Sequence, residues 1–142
     1  MRYLPEEPTV TLTIELRYLA ITVVVTALMW VPYILGRMVA HGPMAAAANP
    51  DFERRPDPAW ARRARAAHAN AIENLAVYAP LVLIASLVGI STAGTVLAAK
   101  LYLGARIVHY VVYAAGIPGI RTLAFLAGVV ATLMVAWPIF SR

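Results

Sequence analysis

Between Arg17 and Arg37 the chain runs for nineteen residues without a charge. As a helix, such a run rises about 1.5 Å per residue and crosses about 30 Å, the hydrocarbon thickness of a bilayer. Inside lipid a backbone must satisfy its own hydrogen bonds, so an isolated run of this kind folds as a helix. Another twenty uncharged residues lie between Arg121 and Arg142. Of the 142 residues, 61% are hydrophobic and 13% charged, where soluble chains have roughly half and about a quarter. The expected fold is all-α and integral to a membrane: one domain over residues 1–142, a bundle of four transmembrane helices. The spans are placed at about 15–38, 66–88, 95–115 and 120–140.

Helix-stopping residues set the ends of these spans. Residues 1–13 are polar, carry Pro5 and Pro8, and read as a short tail on the membrane surface. A cleaved leader is the competing reading. The apolar run is too long for one, and Glu6, Glu7 and Glu15 precede it. Pro32 falls inside the first span and is expected to kink it. Residues 41–58, HGPMAAAANPDFERRPDP, form a loop. The next helix begins near Asp57 or Pro58, with Asp57 the expected cap, and continues to about Val88. Pro80 is a second candidate kink. A short uncharged turn, GISTAG, joins the second and third spans, and GIPG breaks the third from the fourth.

Five of the twelve basic residues lie between Arg54 and Arg65. Beside membrane spans, such a cluster marks the cytoplasmic side rather than a nucleic-acid surface. The first and third loops are then cytoplasmic, and both termini lie on the other side. With no cysteine, disulfides and thiolate chemistry of the chain itself are excluded. His41, His68 and His109 are scattered, and no metal site is expected.

Glu73 is the only acidic residue after Asp57, and it stands at the edge of a span. A carboxylate there is costly without a partner and marks a candidate functional site. The tight turn makes the second and third spans antiparallel neighbours. Counting outward from it puts Glu73 level with His109 and Tyr110, and Asn70 level with Tyr113. Arg106 is about one turn deeper. Arg63, Asn70 and Glu73 share one face; Arg106, His109, Tyr110 and Tyr113 share another. The expected result is a pocket of arginine, tyrosine and amide with one carboxylate, open toward lipid, with Arg121 above it. Each part also has a plainer reading. The arginines are a topology signal, Glu73 and Arg106 are an ion pair joining two helices, and the tyrosines are packing.

At these residues the chain resembles the MAPEG family, the membrane-associated proteins in eicosanoid and glutathione metabolism. The matching motif is A-H-x-N-x-x-E-N, here Ala67, His68, Asn70, Glu73 and Asn74. R-x-x-H-x-x-x-Y follows as Arg106, His109 and Tyr113, and Arg121 with Thr122 opens the last span. The opening ELRYLAITVVVTALMWVPYILGR is similar to bacterial members, which implies a bacterial inner membrane. The resemblance implies four-helix protomers in a homotrimer. It implies glutathione as cosubstrate between protomers, and a hydrophobic small-molecule substrate reached from the membrane lipids. Glutathione contacts are expected from Asn70, Glu73, His109, Tyr113 and Arg121, with Arg121 stabilising the thiolate and Tyr113 or Thr122 orienting it. Arg63 and Arg106 are further candidates, and Arg37 is a carboxylate contact from the neighbouring protomer. The implied activity is a glutathione transferase or peroxidase. A non-catalytic protein of the same fold, such as an accessory subunit, is the alternative. Ala66, Ala69 and Phe125 favour it.

Overall fold

Pro32 shapes the first span. It has no N–H to give the Leu28 carbonyl, and its ring crowds that turn. In the computed structural model, which describes residues 11–141, the helix gives way just there. Helix α1 (Ile14–Leu28) ends as the Met29 N–H turns back 3.1 Å to the Thr26 carbonyl. Helix α2 (Trp30–His41) starts on the next residue. The Tyr110 hydroxyl donates to the Met29 carbonyl at 2.8 Å and holds the break. Most of the tail expected over residues 1–13 lies outside the described residues, as does Arg142.

A short helix α3 (Pro43–Ala47) follows, then α4 (Ala59–Leu87), α5 (Ala93–Ala115) and α6 (Pro118–Phe140). The stretch 14–41, together with α4, α5 and α6, gives four helices long and apolar enough to cross a membrane. This is the expected all-α bundle. Helix α4 continues through Pro80 without ending there.

The expected cap of α4 is corrected. Pro58 occupies the cap position without a side-chain bond. Asp57, only 5% exposed, turns to Arg37 Nη1 at 2.7 Å and to Arg65 Nη2 at 3.4 Å. Two charge-assisted contacts outweigh a single cap bond of about 1 kcal/mol. The ring of Phe52 lies beneath both guanidiniums, at 5.3 Å from Arg37 and 4.6 Å from Arg65. The loop is thereby pinned to the base of the bundle.

Aromatic stacking sets the register of α4 against α5. Tyr78 lies on Tyr102 with ring centroids 3.6 Å apart and planes within 6°. Val82, Ala98, Ala131 and Val135 complete a core of small side chains, which lets helix backbones come close. At the opposite end from the arginines, buried Glu15 accepts hydrogen bonds from the hydroxyls of Ser91 and Thr95. Thr95 also closes a capping box with Thr92 at the start of α5. The first turns of α1 and α5 are thus tied together.

Candidate functional site

At the arginine end of the bundle, α5 stops on Gly116 with φ +82°, and the Ile117 N–H returns 2.9 Å to the Val112 carbonyl. A left-handed residue there favours glycine. Arg63 reaches across from α4, and its Nε donates to the Ala114 carbonyl at 2.9 Å. Its guanidinium lies so near Gly116 that an added Cβ would meet it at 3.2 Å. A cation at this helix end also suits the macrodipole.

Helix α6 opens two residues later with Pro118 in its first turn. Half-buried Arg121 lays its guanidinium over the Tyr113 ring, 4.5 Å from the centroid. It has no carboxylate partner among the described residues. Tyr113 meets His109 edge-on at 5.5 Å, and His109, itself buried, lies 6.2 Å from the Phe125 ring. His109, Tyr113 and Arg121 therefore form one connected row from the core to the end of the bundle. Thr122 is exposed beside it, and its hydroxyl donates to the Pro118 carbonyl at 3.1 Å.

Of the other candidates, Arg106 borders the core end of this row, sharing the Phe125 ring with His109, and Glu73 stands apart from it. Arg106 is 1% exposed and points toward α6, where Nη2 donates to the Phe125 carbonyl at 3.3 Å. Its guanidinium is flanked by the Tyr102 and Phe125 rings, while Nε and Nη1 have no partner. Gly128 makes room for it, since a Cβ at that position would collide with the guanidinium. Glu73 is exposed and takes part in no hydrogen bond or ion pair among the described residues. The expected Glu73–Arg106 pair is not formed among the described residues.

The depth count holds, because Arg63 reaches Ala114 and Tyr78 faces Tyr102. The facing does not. The inward stripe of α4 is Ala64, Ala67, Ala71, Tyr78 and Val82, and Glu73, two residues past Ala71, points about 200° away from it. Tyr110 is spent on Met29. Half-buried Asn70 takes the Asn74 side-chain N–H on its backbone carbonyl at 2.8 Å, and its own Oδ1 is buried without a partner. Arg37 is buried too, with Nε on the Ala45 carbonyl at 3.1 Å and Nη1 on Asp57.

Sequence reasoning missed the Asp57 clamp and the bond between the Tyr33 hydroxyl and His68 Nδ1, 3.1 Å long. Both join residues at least twenty positions apart, and no local pattern announces such a pair. The one available signal was charge: Asp57 is the acid nearest Arg62 and Arg63 in the chain, and it is as near to Arg65 as Glu73 is.

Comparison with family models matches the MAPEG family over residues 16–141. Comparison with curated proteins gives no match, and comparison with solved structures gives none either.

Proposed function

We propose that this chain, which belongs to the MAPEG family, is a membrane-bound glutathione-dependent transferase or peroxidase acting on hydrophobic electrophiles. The observation that carries the reading is Arg121, a guanidinium fixed over Tyr113 with no acid among the described residues to neutralise it. A cation so placed favours the thiolate over the thiol, and the thiolate is the nucleophile. The groups left without partners fit the rest of the tripeptide. Glu73 offers a carboxylate to its ammonium, and the buried Asn70 Oδ1 offers an acceptor to an amide N–H.

In the transferase reaction the thiol proton leaves to solvent, the sulfur attacks an electrophilic carbon, a C–S bond forms, and the bond from that carbon to its leaving group breaks, the leaving group departing as an anion with the electron pair. Arg121 holds the negative charge on sulfur until the bond forms. Tyr113 holds Arg121 in place through the stacked ring, and Thr122 lies one residue further along α6. Because Glu73 is exposed on the face of α4 turned away from the core, the site is completed by a second protomer, within a homotrimer whose arginine end faces the cytoplasm.

The test uses detergent-purified protein. Millimolar glutathione raises its melting temperature, and a general electrophile is conjugated. Arg121→Ala removes turnover and leaves assembly intact. No thermal shift together with no conjugation would sink the reading. The second reading is a non-catalytic member acting as an accessory subunit. Ala66 and Ala69 favour it: both are exposed on α4 near Glu73 and bring no charge for a carboxylate. Native co-purification with a stoichiometric partner, without conjugation, selects that reading.

A further inference from the structure

Between α5 and α6 the bundle leaves an apolar groove of about 600 Å³. Its walls include Leu97, Gly104 and Val108 from α5 and Ile120, Leu123 and Ala127 from α6. A volume of this size is typical of a site for one small ligand. Leu97, Val108 and Leu123 are all exposed, so the groove opens to the surroundings of the chain.

One charged residue lines it, Lys100. Lys100 is exposed and has no hydrogen bond or ion pair among the described residues. Glu15, at the same end of the bundle, is already held by Ser91 and Thr95. Among the described residues nothing offers Lys100 a counter-charge, so the groove suits an occupant that brings an anion.

Gly104 points the same way. A Cβ built on it meets nothing within 4 Å. Glycine inside a helix costs about 1 kcal/mol relative to alanine, and no close approach within the chain requires it here. The space over Gly104 belongs to something that enters from the membrane.

Length identifies that occupant. From Leu97 to Val108 the helix rises about 16 Å, half of a hydrocarbon core about 30 Å thick. That is the reach of an acyl chain within one leaflet. Lys100 stands about 10 Å inside the α5 start, where a flexible ammonium snorkels to the headgroup level. We infer that the groove between α5 and α6 is a binding site for an anionic phospholipid of the leaflet opposite the arginine end. The lipid phosphate lies on Lys100, and one acyl chain runs over Gly104.

The full-length protein, purified in mild detergent, is offered equal amounts of phosphatidylglycerol and phosphatidylcholine, and retained lipid is read by native mass spectrometry. One lysine near a charged headgroup predicts a roughly fivefold preference for phosphatidylglycerol. Lys100→Gln loses that preference and Lys100→Arg keeps it. Gly104→Leu, filling open space, lowers retention of both lipids without lowering the melting temperature. Equal retention of the two lipids by the wild type overturns the inference, as does a preference that survives Lys100→Gln. Cross-linking between two copies through Gly104→Cys also overturns it, because the groove then holds a second copy of the chain. The readout is lipid rather than turnover, so it stands apart from the glutathione reading.

Discussion

Arg37 is 4% exposed, and Asp57 is its counter-charge. Removing the carboxylate leaves a buried guanidinium with the Ala45 carbonyl as its remaining partner. Breaking a buried pair from one side costs about 3–5 kcal/mol, whereas replacing both partners with apolar groups is often neutral. Asp57→Ala is expected to lower the unfolding free energy by about 3 kcal/mol, measured by SDS titration from mild micelles. Arg37→Met combined with Asp57→Leu should recover most of it; a double variant as weak as the single would mean that the clamp is not what holds the loop. Gly128 gives a second test at this scale, because Arg106 occupies the space where its side chain would be. Overpacking costs about 1–3 kcal/mol, so Gly128→Ala should destabilise by that amount. Arg106→Met, shorter at its tip and uncharged, should relieve the loss in the same assay.

The α1–α2 break depends on two groups from different helices. Pro32 removes a donor from the helix, and the Tyr110 hydroxyl binds the Met29 carbonyl at the break. Tyr110→Phe should cost about 1 kcal/mol. Pro32→Ala restores the N–H and lets the helix close over Met29, so Tyr110 then has less to hold. The two changes should couple by at least about 0.5 kcal/mol in a double-mutant cycle of thermal melts; strict additivity would show that Tyr110 merely touches an already formed kink. This scale also marks the limit of what was legible in the sequence. The four spans were legible because lipid permits little besides helix. Depth was legible because a tight turn fixes where two antiparallel helices start. Facing was not. The inward stripe of α4 is alanine at Ala64, Ala67 and Ala71, while its outer face carries Ile72 and Val77. With apolar residues all round, no hydrophobic contrast tells which side turns in. Glu73 was therefore given the correct level and the wrong face.

For the molecule as a whole, the outward turn of Glu73 sets a condition. Around it α4 shows Ile72 and Val77 to the outside, each at least half exposed, so within one chain the carboxylate stands amid an apolar surface. An acid facing lipid at the centre of a span is disfavoured by about 3 kcal/mol, and by less at the edge where Glu73 stands, and no described group of the same chain offsets this. A second copy can, if its cationic end meets the outer face of α4, where Ala66 and Ala69 leave room for close approach. The expected mass in mild detergent is then that of three copies, the number the family resemblance implies. The chain has no cysteine, so a single introduced one reports cleanly. Ala69→Cys carrying a thiol-attached photo-crosslinker should join pairs of chains in native membranes, and Leu123→Cys carrying the same label, on the groove side, should not. Glu73→Ala should shift the distribution toward smaller species, with Glu73→Gln intermediate because an amide retains hydrogen bonds but not charge. A wild-type protein that remains a monomer with lipid present would leave Glu73 with no partner at all, and would remove the basis for a shared site.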